Sequence, residues 1–353
     1  ERYIGLDAHS ASCTLGVVGE SGRRLREQVV ETNGEALVGA ICSIGSRRQR
    51  HLCIEEGEFS GWLYELLRPH VARVVVARAT REPGPKSDAI DAFGWAERLR
   101  TNAIRTAVFK APERYAKLRE LARTYRLLVN DLVRAKNRLK SLYRRRGVAV
   151  SGNAIYGETK RDTWLEQLPA SALVAGRALH AEVDGLTALK QQVQGELVAE
   201  ASRHTAVRLV KTIPGLGPLR AAQLVPIVVT PHRFRTSRQF WAYCGLAIVM
   251  RTSSDWVQLA DQSWTRAKVN STRGLNRNRN PVLKGIFKGA ATTVIAQPLG
   301  SCALRDKYQR LLDGGTKPNL AKLTIARKIA ALMLRTWKDD NRYDEQRYRE
   351  RLK

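Results

Sequence analysis

Tyr3-Ile4-Gly5-Leu6-Asp7 is a short apolar strand that ends on a carboxylate, and two more β-rich runs, Cys13 to Val18 and Glu27 to Glu31, follow across glycine-containing turns. Three strands in such close succession predict a meander. Outward from it, a helical stretch from Gly34 to Ile44 precedes the strand His51 to Glu55. A helix around Trp62 to Leu67 and the β-branched run Val71 to Val76 come next. Strands first, then helix alternating with strand, predict an α/β domain built on a mixed sheet. Pro83, Gly84 and Pro85 mark a turn-rich segment, and the helical spacing of Ser87 to Leu99 closes this first domain, assigned to residues 1–104.

Beyond it the period changes. Leu118, Leu121, Tyr125, Leu128, Leu132, Ala135, Leu139 and Leu142 are separated alternately by three and four residues, the a/d seam of a coiled coil. The seam predicts a helix from Glu113 to Arg146, ~50 Å long at ~1.5 Å per residue. Leu179, Val183, Leu186, Val193 and Leu197 predict a second helix that returns antiparallel after the connection Gly147 to Gly157. Residues 105–205 are therefore read as a helical hairpin. Residues 206–353 form a mainly helical third domain that opens with a helix-hairpin-helix pattern and ends in a basic helix around Leu320 to Trp337.

Composition narrows the partner. The 353 residues carry 61 Lys and Arg against 33 Asp and Glu, a net charge of +28, which calls for a polyanion. Between Arg105 and Arg146 there are fourteen Lys and Arg against three Asp and Glu. Lys136, Arg138 and Arg144 on that arm are candidates to track a phosphate backbone, the plainer alternative being a solvated spacer or dimerisation arm. At 43% hydrophobic residues the chain can bury real cores, so extensive disorder is excluded. No uncharged apolar run approaches the ~18–20 residues that cross a bilayer, and the first residues lack a signal pattern, so a cytoplasmic, nucleoid-associated protein with no membrane partner is expected. Cys13, Cys42, Cys53, Cys244 and Cys302 are scattered and odd in number, which fits neither a disulfide scaffold nor a zinc knuckle. The six histidines are equally dispersed. A metal would therefore be held by carboxylates, which favours a hard cation such as Mg²⁺.

Asp7 and Glu55 each end a strand, and Asp88 and Asp91 stand three apart on a helix, one turn apart on one face. Four such carboxylates can box two Mg²⁺ ions for phosphodiester chemistry. Singly, each is an ordinary turn, cap or solvated acid. Glu56 adjoins Glu55, and alternation along a strand lets only one face the site; Glu55 is the choice. In Ile213-Pro214-Gly215-Leu216-Gly217-Pro218-Leu219, glycines allow close approach to a phosphate and the next helix presents free N–H groups, with Arg220 alongside. A Gly/Pro corner without ligand is the alternative. Arg273, Asn276, Arg277 and Lys284 lie in a basic, amide-rich segment suited to phosphate oxygens. Ser253 and Ser254 sit beside Trp256, and the tryptophans read first as packing anchors.

Taken in order, Gly5-Leu6-Asp7-Ala8-His9, Ile54-Glu55-Glu56-Gly57, Lys86-Ser87-Asp88-Ala89-Ile90-Asp91, Thr212 to Pro218 and Phe240 to Leu246 resemble the insertion sequence 110 family of DEDD transposases, related to the Piv-type DNA invertases. The resemblance implies an RNase H-like (RuvC-like) first domain with Asp7, Glu55, Asp88 and Asp91 as metal ligands, a coiled-coil insertion, and a transposase domain whose serine attacks DNA. That serine maps to Ser253, with Ser254 in reserve. The resemblance further implies a bridge RNA that pairs with target and donor double-stranded DNA, and dimers that assemble into tetramers. Two other readings remain: a metal-dependent nuclease or junction resolvase that uses water, and a nucleic-acid-binding scaffold without catalysis.

Overall fold

The computed structural model describes residues 1–78, 87–105, 107–111, 113–248, 256–266, 274–296 and 302–350. It divides into two compact units, Glu1–Tyr115 and Ala116–Lys353.

The first unit runs β1 (Arg2–Ala8), β2 (Ser12–Gly19), β3 (Arg24–Glu31), α1 (Gly34–Cys42), β4 (Arg50–Glu55), α2 (Ser60–Leu67), β5 (Arg73–Ala77), α3 (Asp88–Arg100) and β6 (Ala107–Val108). Its sheet has the order β3-β2-β1-β4-β5-β6. The first three strands form the antiparallel meander that their short turns dictate, whereas β4 and β5 lie parallel to β1 and to each other. Two-residue β6 adds antiparallel to β5 and is too short for side-chain alternation to announce it. This is an RNase H-like mixed sheet.

Alternation divides the strands between two cores. Ile4, Leu6, Leu15, Leu52 and Ile54 pack on one face with Leu37 and Ile41 of α1 and Leu63 and Leu67 of α2, all fully buried. Each such side chain contributes ~1.5–3 kcal/mol on burial. On the other face α3 brings Trp95 and Leu99 against Cys53 and Val75. Gly5, paired with Gly16 across β1 and β2, sets how close α3 lies. A Cβ on Gly5 would stand 1.9 Å from the Ala92 carbonyl oxygen, so only a bare backbone lets the helix rest on the sheet.

The second unit is helical. It comprises α4 (Ala116–Arg144), α5 (Arg161–Leu165), α6 (Ala170–Ser202), α7 (Thr205–Val210), α8 (Pro218–Val228), α9 (Ser237–Cys244), the two-stranded β7 (Trp256–Gln258) and β8 (Trp264–Arg266), α10 (Pro281–Ala296), α11 (Ala303–Asp313), α12 (Pro318–Lys338) and α13 (Glu345–Glu350). The seam of α4 finds its partner inside the chain. Leu132, Ala135, Leu139 and Leu142 bury against Ala172 and Val183 of antiparallel α6. Lys117 pairs with Glu200 at one end of the hairpin and Arg138 with Glu182 toward the other. Those apolar positions are thus covered within one chain rather than left for a second copy. Ala321, Ile325, Ile329, Ala330, Met333 and Trp337 form the buried stripe of α12, at the three- and four-residue spacing of an amphipathic helix. Among the described residues no helix is long and apolar enough to cross a membrane.

Candidate active site

Strand register brings the first two carboxylates together. Leu6 of β1 pairs with Ile54 of β4, and both point into the α1–α2 core. One residue further along each parallel strand, Asp7 and Glu55 therefore point to the opposite face, the one α3 covers. Ser87 caps α3, its hydroxyl accepting from the Ile90 N–H at 3.2 Å, and the first turn that follows carries Asp88 and Asp91. Because Gly5 and Gly16 let α3 lie low on the sheet, that turn comes beside the ends of β1 and β4. Asp7, Glu55, Asp88 and Asp91 line one cavity of about 430 Å³. Glu56 lines it too, although it is more exposed than Glu55.

Asp7 is the most buried of the four, 9% exposed. Burial raises its carboxyl above the ordinary range; nearby His9 opposes that rise, and the charges of Asp88 and Asp91 add to it. Carboxylates crowded in this way repel one another unless they share a cation. Glu55 is oriented from behind, since the Trp95 indole N–H donates to its Oε2 at 3.1 Å. Burial pushes the neighbouring Cys53 thiol up to about 12, so it offers no thiolate.

Two side chains here were not singled out from the sequence. His9 Nε2 lies 3.3 Å from Asp7 Oδ2 and 3.5 Å from Asp88 Oδ1. The six histidines are dispersed in sequence, but this one is not remote from the acids in space. Its closeness to Asp7 in sequence was the available signal, but His9 lies beyond the end of β1, so strand alternation does not fix where it points. Trp95 is both a packing anchor and a hydrogen-bond donor; its position seven residues after Asp88, two helical turns on, places it on the same face of α3.

The phosphate candidates of the helical unit are placed differently. Gly215 has φ +82°, and a Cβ there would meet the Ala290 carbonyl oxygen of α10 at 2.6 Å, so its bareness serves helix packing. Gly217, just before α8, is exposed with open space around it. Arg220 donates from Nη1 to the Gly215 carbonyl at 2.7 Å and to the Thr293 hydroxyl at 2.9 Å, tying α8 to α10. Asn276 donates to the carbonyls of Ala242 and Asn278 and accepts from the Asn278 N–H, which locks its own loop. Arg277 is exposed, and Lys284 is half-buried on α10. On the hairpin, Lys136 lies 4.5 Å from the centre of the Tyr156 ring, Arg138 pairs with Glu182, and Arg144 donates to the Val150 carbonyl at 3.1 Å. Ser253, Ser254 and Arg273 lie outside the described residues.

Two transposase family models match parts of the chain. Residues 4–145 match a transposase family model, that of the DEDD transposases of the IS110 type. Residues 207–275 match the family described as transposase IS116/IS110/IS902. No curated protein matches the chain. The four cavity acids fall within the first match and read D, E, D, D in chain order. An RNase H-like sheet carrying such a site, joined to a second transposase segment, defines an enzyme that binds, cuts and rejoins DNA. The two matches together span more than half of the chain, which belongs to the IS110 family of transposases. DEDD transposases typically use a divalent metal.

Proposed function

We propose that this transposase is an RNA-guided DNA recombinase that works through a phosphoserine intermediate, with two Mg²⁺ ions held by Asp7, Glu55, Asp88 and Asp91. The convergence of these four carboxylates on one cavity is the observation that carries the reading. Carboxylate oxygens are the hard donors that Mg²⁺ prefers, and their mutual crowding around buried Asp7 fits a shared cation. When bound, the ions would stabilise charge on the phosphoryl oxygens and favour the serine alkoxide.

The protein's own groups divide the remaining work. Asp7 is fixed by the strand ladder. Glu55 has one oxygen engaged by Trp95, which leaves the other for the site. The Ser253 Oγ bonds to phosphorus as the bond to the DNA 3′ oxygen breaks; the serine proton is lost, and the departing oxygen takes up a proton. Rejoining reverses the exchange with a different 3′ hydroxyl, and Ser254 is the reserve nucleophile. Arg277 and Lys284 would position phosphates. In this reading residues 1–104 supply carboxylates, 105–205 form the basic hairpin and 206–353 supply serine, with the serine of one protomer serving the carboxylates of another in a tetramer built from dimers. A bridge RNA would pair with target and donor DNA, and the +28 charge suits a protein that carries both polymers within a prokaryotic nucleoid.

The test uses labelled nicked DNA and denaturing electrophoresis. A covalent protein–DNA adduct that is lost in Ser253→Ala and kept in Ser254→Ala is expected. Free 5′-phosphate ends without adduct would assign hydrolysis by water instead. Recombination of two cognate DNAs that proceeds equally with and without added RNA would remove the guide.

A further inference from the structure

We infer that His9 is a nitrogen ligand of the metal site, so that the ion at Asp7 and Asp88 is held by a mixed oxygen and nitrogen set that takes Mn²⁺ more tightly than the carboxylates alone would. The inference rests on the carboxylate site proposed above and concerns the identity of the ion it takes. Asp7, His9 and Asp88 each offer one donor atom, and these atoms all lie within 4.8 Å of one another. Two ligands on adjacent corners of an octahedron with ~2.1 Å bonds stand ~3 Å apart. His9 Nε2 is 3.3 Å from one carboxylate oxygen and 3.5 Å from the other, close to that spacing without any chain movement.

The imidazole reaches this position because its backbone is fixed. The His9 N–H donates to the Ser12 carbonyl at 3.0 Å, and the Thr32 hydroxyl donates to the His9 carbonyl at 2.7 Å. These bonds hold the turn between β1 and β2 and direct the ring into the cavity, while the side chain stays 56% exposed. Replacing His9 therefore removes a donor without opening the core. Mn²⁺, although largely an oxygen-binding ion, also accepts imidazole nitrogen, whereas Mg²⁺ prefers oxygen and sheds water reluctantly, so an added nitrogen strengthens Mn²⁺ binding more than Mg²⁺ binding.

The test is pulsed electron paramagnetic resonance on the full chain titrated with Mn²⁺, together with competition by Mg²⁺. The wild type is expected to show ¹⁴N coupling from a directly bound ring. In His9→Ala and His9→Gln the coupling disappears and Mn²⁺ affinity falls about tenfold or more, with Mg²⁺ affinity nearly unchanged. Mn²⁺ that binds through the carboxylates without ¹⁴N coupling, at an affinity neither variant alters, would overturn the inference and leave the carboxylate site standing. Mn²⁺ binding that is absent from the wild type, or that persists in Asp7→Asn combined with Asp88→Asn, would remove the carboxylate site and this inference with it.

Discussion

The sheet end of the first unit and the basic surfaces of the second were both read as functional, and they are built on opposite principles. At the sheet end, charges of one sign gather around a cavity, and among the described residues His9 and Trp95 offer them polar partners. In the helical unit, several candidate phosphate binders already have partners. Arg220 joins two helices, Asn276 locks a loop, Arg138 closes the hairpin, and Arg144 caps a carbonyl. Like charges held together are, under the proposed function, balanced by a bound cation. Cations matched to carbonyls mark a fold being held.

The largest expected effect breaks the first region alone. Asp7→Asn or Asp88→Asn should lower DNA strand cleavage by at least about 10²-fold, the scale of losing one preorganised charge-stabilising group, and chelation of divalent metal should do the same to the wild type. Thermal melting should change little, because neither acid anchors the fold. Gly5→Val comes next. Its side chain has no room beneath Ala92, so α3 must lift, at a cost of about 1–3 kcal/mol, and cleavage should fall with it because Asp88 and Asp91 move.

Why the sequence alone could place these four acids around one cavity is a matter of geometry. Strand alternation leaves two choices for where Asp7 points, and a three-residue helical spacing puts Asp88 and Asp91 on one face, so short-range rules almost determine the site. Glu55 followed from the same rule as Asp7. His9 did not, because it lies past the last ladder pair, where the turn rather than the pleat directs it. The phosphate candidates were less legible for a different reason. A long Arg side chain reaches many partners, and whether Arg220 meets a phosphate or Thr293 depends on α10, whose Thr293 is 73 residues away in sequence. The heptad seam was legible as a helix, but its periodicity is the same whether the partner is α6 or another subunit.

Two substitutions sharpen the contrast within the second region. Arg220→Ala should cost about 1.5–3 kcal/mol of stability, as expected when charged hydrogen bonds are lost from a partly buried site. Arg277→Ala should leave melting within about 0.5 kcal/mol and reduce the salt dependence of DNA binding by about one phosphate contact. If the two residues behaved alike in both assays, the division between fold-holding and free cations would fail.

The smallest effect is a pH response within the helical unit. His180 is 1% exposed in the hairpin, with its Nε2 3.2 Å from the Tyr143 hydroxyl. Burial, assisted by the Arg161 charge, lowers its pKa below the ordinary 6.5. The unfolded chain then takes up this proton at higher pH than the folded one. Stability should be fullest above pH 6.5 and decline as pH falls below it, toward the lowered value. His180→Gln should flatten that part of the melting profile, and an unchanged slope would remove His180 as its source.

The convergence of four carboxylates on a shared cation can be observed directly by anomalous diffraction from crystals of the full chain grown with Mn²⁺. The account predicts a peak among Asp7, Glu55, Asp88 and Asp91, at coordination distance from their oxygens. A well-ordered cavity with no peak, or an ion bound elsewhere while these side chains point apart, would contradict it.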